Sequence, residues 1–172
     1  MDKKYQLTNE TREIDGHTLY RIQLLRNWGG YTVGELGGFI ESEDNLSHEG
    51  ACWVADNACV YDDARVTQNA YIADYASVSG SAHVSGSARV LNYALITNQA
   101  QVQEDAFIKE AGRVSGNAQV SGNAYVKGHA HITGHARVAG AVKVDDDVLI
   151  TGYANLTGDL KIGGNIVIAR GI

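Results

Sequence analysis

Residues 76–90 read ASVSGSAHVSGSARV, and that six-residue unit recurs from Cys52 to Ile168. A small residue, most often Ala, stands at 58, 64, 70, 76, 82, 88, 94, 100, 106, 118, 124, 130, 136 and 154. A Val, Ile or Leu follows two residues later each time, from Val54 and Val60 to Ile162 and Ile168. Twenty copies succeed one another without an insertion or deletion. In Ala-x-Val the two apolar residues point one way and the middle residue the other, which is the alternation of a strand. Three residues of strand leave three for a corner. The corners read Ser115-Gly116-Asn117, Lys127-Gly128-His129, Thr133-Gly134-His135 and Ala139-Gly140-Ala141. Gly takes positive φ without steric cost, and Asn and Asp tolerate it better than most residues. Asp56, Asp62, Asp74, Asn92, Asn98 and Asp146 hold the same slot where Gly is missing. Glu104 and Glu110 break that chemistry, so local distortion is expected at both.

A three-residue strand with a corner cannot make a hairpin sheet. Repeated, it winds into a prism whose coils stack through parallel hydrogen bonds about 4.8 Å apart. A period of six belongs to β-helices. Three hexads per coil give eighteen residues per turn, between six and seven coils, and a rod about 30 Å long. The expected fold is therefore all-β, a single-stranded parallel β-helix over residues 39–172 with a small N-terminal cap over 1–38. In the cap, Arg12–Ile14 and Thr18–Leu24 flank Asp15-Gly16, a two-residue hairpin signal. Trp28, Tyr31 and Phe39 are the expected lid over the open end of the core.

The 172 residues carry a net charge of −6 with both signs interspersed, which argues against nucleic-acid binding. No apolar run reaches membrane-spanning length, and MDKKYQLTNETREIDG lacks a signal-peptide core. Two cysteines, Cys52 facing inward and Cys59 outward, make no disulfide framework. The expected compartment is the cytoplasm.

The hexad resembles the hexapeptide-repeat, left-handed β-helix family, in which aliphatic residue, turn, small residue and spacer recur in this order. Gly comes one position later here than is usual there. Residues 34–58, GELGGFIESEDNLSHEG followed by ACWVADNA, resemble the N-terminal signature of YdcK-like β-helix proteins of bacteria and their phages, which are labelled transferases by fold. The resemblance implies a left-handed coil and trimers packed along the prism faces. For the acyltransferases of this fold it also implies a His base, coenzyme A in a groove between neighbouring prisms, and a loop extruded from the coils. No such loop interrupts residues 52–169.

Eighteen residues per coil make the surface readable. One outward column is Trp53, Tyr71, Arg89, Phe107, Tyr125, Lys143 and Lys161. The second is Cys59, Ser77, Leu95, Arg113, His131, Leu149 and Val167, and the third is Arg65, His83, Gln101, Gln119, Arg137 and Asn155. Trp53, Tyr71, Arg89, Phe107 and Tyr125 are the candidate site for a ligand or partner, by stacking and cation–π contact. Leu91, Leu95, Tyr75, Tyr93, Leu149 and Val167 are the candidate oligomer interface. His131, His129, His135 and His83 are the candidate bases if the protein is an enzyme, and no metal site is expected. Ser79, Thr97, Ser115, Thr133 and Thr151 form a hydroxyl column expected to bond nearby backbone. A prism without insertions is expected to have smooth faces, with any pocket lying between subunits.

Three readings follow. The leading one is a non-catalytic, homo-oligomeric binding scaffold, a trimer by preference and without a cofactor, possessed by a phage or prophage and directed at a host protein or a small nucleotide signal. The second is a trimeric acyltransferase using coenzyme A. The third is a purely structural rod. The bulkier slots Val142, Val148, Leu160 and Ile166 predict a wider or tighter prism near the C-terminal end.

Overall fold

A computed structural model describes residues 3–170 and is a parallel β-solenoid. Each hexad contributes a short strand, two residues long in most coils, such as Trp53–Val54 or His83–Val84, and four at Leu149–Gly152 and Val167–Arg170. Strands eighteen residues apart pair in parallel register, as Arg89 does with Tyr71 on one side and Phe107 on the other. The chain thus winds through three sheets. The first face has seven strands from Trp53 to Ile162, and the third has six from Arg65 to Leu156. The second face extends to ten strands because the N-terminal segment joins it. The three outward columns are those read from the period.

Coil-to-coil bonds run from alternate amides to the carbonyl seventeen residues on, as in Trp53 N to Ala70 O at 3.0 Å and Cys59 N to Ala76 O at 3.0 Å. Inside, the Ala and Val/Ile columns are fully buried from Ala58 to Ile150. Each buried Val or Ile contributes roughly 1.5–3 kcal/mol. Val142 and Val148 fill the core, whereas Leu160 and Ile166, in the last coil, are about 40 % exposed at 41 % and 42 %.

Corner chemistry is more general than the sequence suggested. Glu104 and Glu110 sit at φ 59° and 56° with no local distortion, and Gln68 joins them at φ 60°. The reason is a ladder of side-chain bonds. Every non-Gly corner residue with positive φ accepts a hydrogen bond from the corner amide one coil later. Glu104 Oε2 receives Gly122 N–H at 2.6 Å, Gln68 Oε1 receives Gly86 N–H at 2.6 Å, and Asp62 Oδ2 receives Gly80 N–H at 2.9 Å. A left-handed conformation costs a non-Gly residue roughly 1–2 kcal/mol. A bond to an otherwise unpaired amide, charge-assisted where the acceptor is Asp or Glu, offsets that cost.

The N-terminal end is built differently. Strand β1 (Tyr5–Ile14) and strand β2 (His17–Leu24) form an antiparallel hairpin through Asp15-Gly16. Strand β3 (Leu36–Ile40) pairs antiparallel with β2 and parallel with the coil strand Cys59–Val60, so the chain enters the solenoid here. Gly37 and Gly38 allow this close approach. A Cβ on Gly37 would lie 2.6 Å from Val54 O, and one on Gly38 would lie 2.6 Å from Ala58 O. Asn45 stitches the entry to the next coil, accepting from Glu41 and Ser42 amides and donating to Asp62 O and Ala64 O.

The expected lid is rearranged. The end of the core is covered by Tyr5, Ile22 and Leu24, with buried Lys4 donating to Cys52 O at 2.7 Å. Burial pushes the Lys4 ammonium below its usual range. Phe39 instead lies outside the prism, under the hairpin, between the guanidinium groups of Arg12 and Arg21 at 4.0 and 4.5 Å. The same cover explains Cys59. It faces outward from the coil as expected, but Leu19, Phe39 and Tyr61 bury it. Trp28 and Tyr31 hang over the first face.

Candidate ligand-binding face

Trp28 and Tyr31 are held by a tight turn. Trp28 N–H donates to Tyr31 O at 3.0 Å and Tyr31 N–H returns to Trp28 O at 2.8 Å. Gly29 and Gly30 between them take φ 56° and 92°, a backbone that favours Gly at both positions. The Arg26 guanidinium stacks 4.8 Å over the Trp28 ring and braces it. This overhang meets the first face beside Trp53 and Tyr71. Tyr31 and Trp53 rings lie 5.9 Å apart, and Tyr31 O–H donates to Tyr71 O–H at 3.1 Å.

The result is a groove of about 420 Å³ whose walls include Trp28, Tyr31, Trp53, Asn69, Tyr71 and Arg89. The expected smoothness of the faces is therefore corrected. A search for a loop inserted between coils misses a groove whose overhang comes from the cap. Three of the five expected ligand residues, Trp53, Tyr71 and Arg89, line it, and the Trp28-Gly29-Gly30-Tyr31 signature was the sequence signal for its other wall. Burial and the bond from Tyr31 push the Tyr71 hydroxyl well above its usual range, so it stays a neutral phenol. The indole N–H groups of Trp28 and Trp53 have no acceptor among the described residues. Those two N–H groups are buried, so what the groove presents is aromatic surface, the Asn69 amide, and one guanidinium without a carboxylate partner among the described residues.

The remaining two ligand candidates lie further along the same face. Phe107 and Tyr125 meet edge to face at 5.2 Å, so the aromatic column is two clusters parted by Arg89, and not one continuous ladder. Lys109 Nζ lies 5.5 Å from the Tyr125 ring centre. Beyond them is a second depression of about 310 Å³ lined by Tyr125, Lys127, Lys143, Asp145 and Lys161, among others.

The four candidate histidines do not converge. His131 is on the second face, His83 on the third, and His129 and His135 are in corners. His131 Nε2 is 2.8 Å from Ser115 Oγ, which bonds Thr133 Oγ1 at 2.9 Å. That hydroxyl column thus bonds side chains here, where backbone partners were expected. His83 Nε2 is 2.9 Å from Thr67 Oγ1. Burial, aided by Arg113 and Arg65 respectively, lowers both histidines below their usual range. His135 stacks on Tyr153 at 4.8 Å.

Of the interface candidates, Tyr75 and Tyr93 stack at 5.4 Å in the corners leading to the second face and stay 58 % and 68 % exposed. Val167 is exposed, Leu95 and Leu149 are half-buried, and Leu91 packs against the core. One cluster went unread in the sequence. His17 Nδ1 lies 3.0 Å from Glu41 Oε1 and His17 Nε2 lies 3.1 Å from Asp62 Oδ1. These three groups are close enough to hold a metal ion. Both ring nitrogens already face a carboxylate, which suits an imidazolium clamped between two anions better than a metal ligand. The bond to Glu41 raises His17 and lowers Glu41.

The fold and this face define a capped β-solenoid with a concave first face. No model of a known protein family matches the chain, and no curated protein matches it. Among the described residues no helix is long and apolar enough to cross a membrane.

Proposed function

We propose that this protein is a non-catalytic binding protein on a left-handed, hexapeptide-repeat β-helix of the YdcK-like kind, possessed by a bacterium or phage. Its first face takes up a small, planar, negatively charged ligand of the nucleotide class. The observation that carries this reading is the groove that places Arg89 beside Tyr71, Trp53, Tyr31 and Trp28. Rings stack on a base or sugar, and a guanidinium pairs with phosphate. Two free, buried cysteines agree with a reducing cytoplasm. Exposed Tyr75, Tyr93 and Val167 support assembly into a homo-oligomer, a trimer by family resemblance. A host protein bound on the same face is the variant of this reading that needs no small ligand.

The enzyme reading, a trimeric acyltransferase using coenzyme A, has His131 as its best base because Ser115 lies against it. The same His–hydroxyl contact recurs at His83 and Thr67, on another face but at the same register. Recurrence at equivalent positions favours a packing role for both.

Thermal unfolding with a panel of nucleotides and with acetyl-coenzyme A tests the proposal. A ligand at 100 times its dissociation constant adds about 2.7 kcal/mol. Stabilisation by nucleotides that disappears in Arg89→Ala or Tyr71→Ala is expected. Stabilisation by acetyl-coenzyme A alone, lost in His131→Ala, favours the enzyme instead. No response to either removes the small-ligand reading.

A further inference from the structure

The net charge of −6 conceals how the charges are distributed. From residue 52 onward every Asp and Glu described lies in a corner, outside the strands. Asp56, Asp62, Asp74, Glu104, Glu110 and Asp146 are engaged in the corner ladder. The three outward strand columns contain no carboxylate at all, while Arg65, Arg89, Arg113, Arg137, Lys143 and Lys161 stand in them. The strand columns therefore carry only positive formal charge on a protein that is acidic overall, with the carboxylates held in the flanking corners. Only the first face combines those cations with a run of aromatic rings.

We propose that the first face binds single-stranded nucleic acid along its length, with the groove as one end of the track. This deepens the nucleotide reading of that groove and rests on it. The column Trp53, Tyr71, Arg89, Phe107, Tyr125, Lys143, Lys161 spans six coil spacings, about 29 Å. That length suits a handful of nucleotides, the lower end of the usual single-strand site. Rings and cations serve different parts of such a ligand. Tyr71 and the Phe107–Tyr125 pair offer surfaces to unstacked bases, and Arg89, Lys143 and Lys161 meet phosphates. Lys127 and Lys109 lie beside the track but are occupied by Asp145 and Glu110. Lys143 and Lys161 form no ion pair among the described residues and line the second depression with Tyr125, where the two carboxylates present, Asp145 and Asp146, are taken up by Lys127 and by the Gly164 amide. A duplex keeps its bases stacked inside and offers these rings nothing.

The test is fluorescence anisotropy of the full-length chain with labelled oligo(dT) and oligo(U) of about ten nucleotides, set against the duplex, heparin and a mononucleotide. Single strands are expected to bind at least tenfold more tightly than the mononucleotide and the duplex. Three phosphate contacts predict a slope of log K against log salt of about −2. In K143Q/K161Q, oligonucleotide binding should fall about tenfold or more while mononucleotide binding is unchanged. Phe107→Ala with Tyr125→Ala should weaken oligonucleotides at every salt concentration without changing that slope. The oligo(dT) and oligo(U) arms separate a DNA from an RNA ligand. Oligonucleotides no tighter than the mononucleotide overturn this proposal and leave the groove reading intact. Equal affinity for heparin overturns the base-stacking part and with it the proposal. No binding of either nucleotide form overturns both readings.

Discussion

The solenoid body and its N-terminal cap solve the same problem, burial of an apolar interior, by opposite means. In the body each hexad repeats one solution. Ala and Val fill the core, a corner residue bonds the corner above, and stability is close to a sum over coils. In the cap nothing repeats. Phe39 is held by Arg12 and Arg21, Lys4 reaches one carbonyl, and two adjacent glycines let β3 lie against the first coil. The body therefore tolerates local change, and the cap depends on single contacts. The concave site arises where the two meet, because only the cap brings side chains over a face.

The sharpest way to break that contrast is at Gly38. A Cβ there would lie 2.6 Å from a backbone oxygen and 2.7 Å from Val54 Cγ1. Gly38→Ala should cost about 3 kcal/mol by overpacking, measured by urea unfolding. A loss under about 1 kcal/mol would show the cap to be as adaptable as the body. In mid-body, Val120→Ala should cost about 2 kcal/mol for the lost methyl groups and the void. Because neighbouring coils repeat the same slot, Val102→Ala should cost nearly as much, and a large difference would argue against additive coils.

Smaller effects separate backbone from side chain in the corners. Glu104→Ala keeps the left-handed strain and loses the bond to Gly122, so it should destabilise by about 1 kcal/mol. Glu104→Gly loses the same bond and the strain together, and should fall close to neutral. Equal losses in the two variants would remove the strain argument.

The smallest effect is a difference in pH response. His17, whose folded value is raised by Glu41, stabilises the cap fully below the ordinary histidine range and loses that contribution as pH rises through its folded value. Glu41, lowered by His17, loses its contribution as pH falls through its folded value. His83 and His131 are lowered by burial, so their contribution to the body is present above the ordinary histidine range and lost on acidification. Hydrogen exchange should show hairpin amides opening more on the alkaline side, a trend abolished in His17→Gln. Coil amides beside His83 and His131 should open more on the acidic side, a trend removed by His83→Gln with His131→Gln.

Much of this was open to reading without coordinates. Tyr71, Arg89, Phe107 and Tyr125 fall on one column because eighteen-residue spacing is arithmetic once the period is known. Glu104 and Glu110 were misread because residue preference for positive φ considers the backbone alone. The acceptor reaching the next coil's amide is a contact between chain segments, invisible to a local rule. Phe39 was misplaced for a related reason. Its apolar character predicted burial but not the side of the strand on which a hairpin with two arginines would settle.

By itself, the sequence determined the period, the coil length, the inward columns and the membership of each face. Those follow from strand alternation and from repetition, which makes every coil report on its neighbours. Tertiary structure alone decided which face is covered, which is concave and where charge is free. Those depend on packing between segments that share no period, such as the Trp28–Tyr31 turn against Trp53 and Tyr71, and on which corner carboxylates are taken up by backbone amides or lysines of neighbouring coils.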